Sequence, residues 1–285
     1  MDHASLDQIE ENVMKELDAK SAELGVTFNY ADYTYNGQGD GTTLNQIAAQ
    51  LVADQVDVVV PIATPAAQAC AAETEDIPIV LTAVTDPAAS GLVETNEQPG
   101  GNVTGSSDLT PVADQIGLLK QIFPDAQTVG ILYCSAESNS EIQAQMAREA
   151  CEAAGMTAVD YTVATSNDIQ TVVESMVGNV DVIYTPTDNV IAAGMPTVAM
   201  IANANGLPTI VGEEGMCTAG GLATYTIDYE ELGRIAGEMA VEILTEGTSP
   251  ADMPIEYYPS DKLRLVVNED TAAELGVDVS GLEME

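Results

Sequence analysis

From residue 57 to residue 211 the chain alternates between short apolar runs and segments of helical spacing, and that rhythm leaves few folds open. Asp57–Ile62 reads as a buried strand, β-branched and uncharged after its first residue. A helix through Ala66–Glu73 follows, then a strand at Ile77–Leu81 with Pro78 near its start, where a missing N–H is tolerated. Thr128–Tyr133, Met156–Val163, Asp181–Tyr184 and Leu207–Val211 are further strands, separated by helices over 139–154, 168–177 and 190–205. Ser138-x-x-Glu141 is a capping-box signal, with Ser138 as the cap. Strands alternating with helices imply βαβ units, and therefore parallel sheets.

The rhythm is also duplicated. DVVVPIATPAAQ (57–68) followed by DIPIVLTAV (76–84) matches DVIYTPTDNVIA (181–192) followed by GLPTIVGEE (206–214) in pattern. Each copy runs from Asp through an apolar strand, a Thr/Pro turn and a helix to an x-Pro strand. From Asp to Pro the separations are 21 and 27 residues, so the second helix is the longer. Two lobes of the same topology are expected.

Outside the duplicated stretch, Leu6, Ile9, Val13, Leu17 and Leu24 fall at helical spacing, and Gly25 supplies a C-terminal stop. Ser5 reads as a cap for this helix, and Val26–Tyr33 reads as a strand after it. Leu44–Val52 carries another apolar helix face. The Gly-rich stretch Gly100–Gly105 suits a hinge or crossover between lobes. Ala223–Ile227 is a strand, and Asp228-x-x-Glu231 caps a helix. Ile255–Tyr258, Leu263–Val267 and Thr271–Leu275 follow as two strands and a short helix. In the second copy a strand precedes the helix near Asn139, whereas only four residues precede the helix near Ser5. The expectation is a first lobe that lacks one central strand.

Several functions are disfavoured. The chain carries 46 acids against 7 bases, a net charge of −39, which repels nucleic acid and anionic lipid. No run of 18 apolar residues suggests a membrane span, and the first residues show no signal segment. Cys70, Cys134, Cys151 and Cys217 are scattered without zinc-type spacing and read as buried thiols. His3 is the only histidine, so no multi-His metal site is expected. No GxSxG, HExxH, P-loop or GxGxxG stands in the right place, so no enzyme, cofactor or metal is expected. Asp188 with Glu213 as a catalytic acid pair is the weaker alternative.

In open α/β sheets ligands bind beyond the carboxyl ends of the strands. The turns there are His3–Ser5, Ala63–Pro65, Val84–Pro87, Ser135–Asn139, Thr187–Asn189 and Glu213–Glu214. Helix N-termini after Thr64, Asn139 and Asp188 offer N–H groups to an anion. One lobe is thus suited to a carboxylate, and Asp188 and Glu213 in the other to an ammonium. A zwitterion such as an amino acid fits both. Capping competes as an explanation for Ser138, Thr64 and Asp188, and a surface role for Glu213. Tyr184 and Tyr225 read as core.

PIATPAAQA (61–69), PIVLTAVTDPAASGLV (78–93), GGNVTGSSD (100–108), LLKQIFPDAQTVGILY (118–133), YTPTDN (184–189), GEEGM (212–216) and GGLATYTIDYEELG (220–233) together resemble the tryptophan/tyrosine-type ABC transporter substrate-binding family. The resemblance spans nearly the whole chain. It implies an α/β type I periplasmic-binding-protein fold, two Rossmann-like lobes joined by three crossovers. Residues 1–107 with 228–258 would form one lobe, and 108–227 with 259–285 the other. It implies an extracytoplasmic capture protein, periplasmic or anchored at the cell surface as a lipoprotein. Such a protein would bind an aromatic or other hydrophobic amino acid between its lobes, with a membrane permease and its ATPase as partners. By position the ligand-binding residues would be His3, Thr64, Thr85, Ser138, Asn139, Asp188, Asn189 and Glu213, with Asp188 as the ammonium partner. A monomer is expected. A sensor domain using the same clamp, and a sugar or other small molecule as ligand, are the alternatives.

Overall fold

A computed structural model describes residues 3–282. In chain order its helices and strands are α1 (Ala4–Leu24), α2 (Gly41–Ala53), α3 (Thr64–Glu73), β1 (Ile79–Leu81), β2 (Val103–Ser107), α4 (Val112–Ile122), β3 (Thr128–Cys134), α5 (Ser138–Ala153), β4 (Thr157–Val163), α6 (Ile169–Met176), β5 (Val182–Thr185), α7 (Asn189–Ala204), β6 (Thr209–Val211), α8 (Glu214–Thr218), β7 (Ala223–Thr226), α9 (Tyr229–Glu246), β8 (Glu256–Tyr257), β9 (Arg264–Val267) and α10 (Glu269–Leu275). The chain divides into two compact units. One takes the chain up to Leu109 together with Asp228–Ser260, and the other takes Thr110–Ile227 and the chain from Asp261 onward. Among the described residues no helix is long and apolar enough to cross a membrane.

The second unit is a six-stranded sheet in the order β4-β3-β5-β6-β7-β9, parallel except for the last pair. Side chains of a strand alternate between faces, and β3 shows what that does here. Val129, Ile131 and Tyr133 enter one core with Ile116, Leu119, Ala144 and Ala147 from α4 and α5. Leu132 and Cys134 enter the opposite core with Ile169, Val173, Met195 and Val198 from α6 and α7. Apolar side chains on both faces explain why this strand is an unbroken apolar run in the sequence. Gln115 of α4 is a polar tie inside this unit. Its Nε2 donates to Gly212 O at 3.0 Å and Tyr225 O at 2.7 Å, and its Oε1 accepts from the Tyr184 hydroxyl at 2.7 Å.

The first unit has the order β1-β2-β8, extended by bridges Val59↔Ile79 and Ile62↔Thr82. One core holds Leu51, Val59, Ala67, Cys70, Ile79, Leu81 and Val103. Helix α9 packs on β1 and β2 and along α1. Two glycines let those helices approach. A Cβ at Gly233 would lie 2.5 Å from Ile9 O, and one at Gly237 would lie 2.8 Å from Glu16 Cβ.

Four local expectations are corrected. Val26–Tyr33 is not a strand: it is irregular, with a 3₁₀ turn at Ala31–Tyr33. Its counterpart β4 is held by β3, whereas no described strand of the first unit lies beside Val26–Tyr33. Among the described residues Asp57–Ile62 makes isolated bridges to Ile79–Thr82 in place of a full strand. The stretch expected as a hinge runs into the buried strand β2. Gly105 is needed there, with φ 141° and a would-be Cβ only 1.8 Å from Leu81 O. Ser5 and Ser138 are not caps. His3 caps α1, its Nδ1 accepting from Leu6 N–H at 3.4 Å, and Glu137 stands at the cap position of α5 without capping it.

Candidate functional site

Strands β3 and β5 are parallel neighbours, with Ile131 opposite Tyr184. Their carboxyl ends therefore release the turns 135–137 and 186–188 side by side. Asp188 sits in extended backbone (φ −140°) and is 2% exposed. Its Oδ1 accepts from Ile191 N–H at 2.8 Å, capping α7, and its Oδ2 accepts from Cys134 N–H at 2.6 Å. The Ser140 hydroxyl and Val190 N–H also face this carboxylate. Burial raises its pKa above the ordinary carboxylate range, and these N–H groups oppose the rise.

Across the gap between the two turns lies Glu137, half-buried. Its Oε2 accepts from Asn189 Nδ2 at 2.7 Å, from Asn189 N–H at 3.3 Å and from Asn139 Nδ2 at 3.2 Å. Burial, then the charge of Asp188, push its pKa up to about 7. Asn139 is 4% exposed and also donates to Ser140 Oγ at 3.3 Å and Thr187 O at 3.4 Å. Its Oδ1 is buried without a hydrogen-bond partner. Gln143, fully buried, fixes the second turn by donating to Thr187 O at 3.1 Å. The next turn abuts the same place, since a Cβ at Gly212 would lie 2.3 Å from Thr187 N.

The structure thus brings Asn139, Asp188 and Asn189 together, joined by Glu137. Ser138 is the half-buried first residue of α5. Glu213, 2% exposed, caps α8, its two oxygens accepting from Gly215 N–H at 2.6 Å and Met216 N–H at 2.7 Å. In the first unit, His3, Thr64 and Thr85 are all buried and lie on separate turns. Thr64 follows Ala63, which stands at the cap position of α3 with φ 78° and ψ 154°. That region is nearly exclusive to glycine and costs about 1–3 kcal/mol. Ala83, two residues before Thr85, also has positive φ (54°). Thr85 Oγ1 donates to Asp108 Oδ1 at 3.4 Å.

Sequence reading missed Glu137 and Asp108. Neither has a local signal, because Glu137 meets Asn189 52 residues further on and Asp108 meets Thr85 23 residues back. Among the described residues no group of three or more His, Cys, Asp or Glu side chains could hold a metal ion.

Two units built on parallel-dominated sheets match solved structures of the type I periplasmic-binding-protein fold, and the chain has that fold. The chain belongs to the ABC transporter substrate-binding protein family, whose model matches residues 1–281. It is 40% identical over 275 residues to a tyrosine-binding protein of Clostridioides difficile, covering 96% of this chain and 78% of that protein. An ABC domain from Streptococcus pneumonia, solved in complex with L-Trp, superposes with a TM-score of 0.90 at 37% identity, covering 98% of this chain and 93% of that one. A conserved domain protein from Vibrio cholerae gives a TM-score of 0.91 at 32% identity, covering 99% and 93%. Substrate-binding proteins of this family work outside the cytoplasm with a transporter.

Proposed function

We propose that this protein captures an aromatic L-amino acid, tyrosine or tryptophan, and delivers it to the permease and ATPase of an ABC importer. The observation that carries the reading is the 40% identity to a tyrosine-binding protein over nearly the whole chain. The site chemistry agrees with it. At the carboxyl ends of β3 and β5 the second unit offers carboxylates and amides, the groups an ammonium requires. In the first unit, His3 and Thr64 carry groups able to donate to a carboxylate, and Thr85, whose hydroxyl donates to Asp108, with Ser138, Asn139, Asp188, Asn189 and Glu213 completes the proposed set. The sugar alternative is set aside, because relatives above 30% identity whose ligand is named take amino acids, whereas those that name a sugar or an inositol are at most 16% identical. In this reading the protein acts as a monomer, periplasmic or anchored at the cell surface, and releases its ligand unchanged.

A thermal-shift screen of the twenty amino acids and common monosaccharides tests the reading. L-tyrosine or L-tryptophan at about 100 times its dissociation constant should add about 2.7 kcal/mol of stability. A shift with monosaccharides alone would overturn the proposal. Chromatography of the incubated ligand should recover it intact, and a new product would mark an enzyme.

A further inference from the structure

Three acidic side chains stand near the carboxyl ends of β3, β5 and β6, and they differ in what they have left to give. An ionised carboxylate offers about four acceptor positions. Asp188 has both oxygens engaged by backbone N–H groups, with Ser140 and Val190 also against it, and is 2% exposed. Glu213 likewise has both oxygens on the N–H groups of α8 and is 2% exposed. In each, both oxygens already serve the N–H groups of a helix end or strand, and a ligand would have to share them. Glu137 is half-buried, and its three hydrogen bonds all fall on Oε2. Its Oε1 carries none among the described residues.

Beside it is the buried Asn139. Three acceptors around Nδ2, namely Glu137 Oε2, Ser140 Oγ and Thr187 O, fix which way this amide faces. Oδ1 is left buried and unpartnered. A buried acceptor in that state is unfavourable unless something donates to it. It lies one amide width from the nitrogen that bonds Glu137. A primary ammonium carries three donors, enough for Glu137 Oε1, Asn139 Oδ1 and one more.

We propose that Glu137 is the carboxylate that receives the ligand's ammonium group, with Asn139 Oδ1 as the companion acceptor, and that Asp188 is a positioning residue. This rests on the amino-acid reading above and replaces Asp188 as the amine partner. Asp188 ties the end of β3 to the start of α7, which holds the Glu137 and Asn189 turns in register. The charged and titratable groups facing Glu137 are Asp188 and the thiol of Cys134, the latter neutral because burial pushes it up to about 11. Glu137 must be ionised to bind an ammonium, so affinity should fall as pH drops through about 7.

The test is isothermal titration calorimetry of the wild type, E137Q and D188N with L-tyrosine, L-tryptophan and the tyrosine analogue lacking the amino group, from pH 6 to pH 8. E137Q should weaken L-amino-acid binding at least tenfold at pH 8 and flatten its pH profile. It should leave the amine-free analogue within about threefold of wild type. D188N should weaken amine-bearing and amine-free ligands alike. Unliganded melting of E137Q at or above wild type at pH 8 would show that the variant folds. Wild-type affinity in E137Q, or equal losses for amine-bearing and amine-free ligands, would overturn the assignment alone. Failure of the wild type to bind either amino acid would remove the amino-acid reading and this assignment with it.

Discussion

At the residue scale, Asp188 and Glu137 occupy one cluster and have opposite effects on stability. Asp188→Ala removes the α7 cap, worth about 1 kcal/mol, and orphans the buried Cys134 N–H, worth about 1–3 kcal/mol. Relief of repulsion on Glu137 offsets part of this, so a loss of roughly 2 kcal/mol is expected in unliganded chemical denaturation. Glu137 behaves the other way. Its folded pKa is raised from 4.5 to about 7, so the folded state holds its proton more tightly than the unfolded chain. The associated stability is full below about pH 4.5 and disappears as pH rises through 7. Between pH 5 and 8 the wild type should therefore lose roughly 2 kcal/mol more than E137Q, after allowing for solvent screening; Asp188, also raised by burial, keeps a smaller loss in the variant. A pH series of denaturation midpoints reads this; identical slopes would contradict it. Asp188 was legible in the sequence because a Thr-Asp-Asn turn after a buried strand marks a position. What it does was not legible, because its partner Cys134 is 54 residues away. Ser138 shows the opposite error. Ser-x-x-Glu fits a local motif, but in the folded chain Glu141 pairs with Arg148 at 2.8 Å.

At the scale of elements, long amphipathic helices were the most readable. Helices α1 and α9 carry apolar spacing over five turns and end at Gly25 and Gly247, both left-handed. Their mutual packing was not readable, because it depends on where Gly233 meets Ile9. Gly233→Ala would place a Cβ 2.5 Å from a backbone oxygen that has no rotamer to escape into. The helices must separate, at a cost of roughly 1–3 kcal/mol. Gly25→Ala touches nothing within 4 Å and carries only the strain of its φ of 69°, so it serves as the milder comparison. Urea midpoints should fall more for G233A than for G25A. Strand β2 was hidden by its composition. Val-Thr-Gly-Ser-Ser lacks the apolar signature of a central strand, yet all five residues are buried. Hydroxyls satisfy themselves inside: Thr104 Oγ1 donates to Met253 O at 2.7 Å and Ser107 Oγ to Thr85 O at 2.7 Å. Val26–Tyr33 had the reverse problem. Its alternating pattern promised a strand, but a strand needs a neighbour, and Tyr30 instead bonds Asp18 at 2.8 Å.

At the scale of the whole molecule, charge dominates. Of the seven bases, Lys15, Lys20, Arg148, Arg234 and Arg264 are already in ion pairs, and Lys120 donates to Ala126 O at 3.0 Å. Most of the 46 acids therefore have no counter-charge within the chain. Repulsion of this kind is screened over about 10 Å at 0.1 M salt and about 3 Å at 1 M. Raising sodium chloride from 0.05 M to 1 M should lift the melting temperature by several degrees, and a flat response would show that repulsion does not limit stability. The repeated Asp-strand-turn-helix-Pro pattern shows in one step of each unit, where Val59 bridges Ile79 in parallel as β5 pairs with β6, while the sheets otherwise differ, three strands in the first unit and six in the second. The division of the chain, with Asp228–Ser260 returning to the first unit, has a further consequence for biogenesis. As the polypeptide leaves the ribosome, α1 waits more than 200 residues for α9, the helix it packs along. The first unit can thus be completed only after most of the second unit's chain has been made.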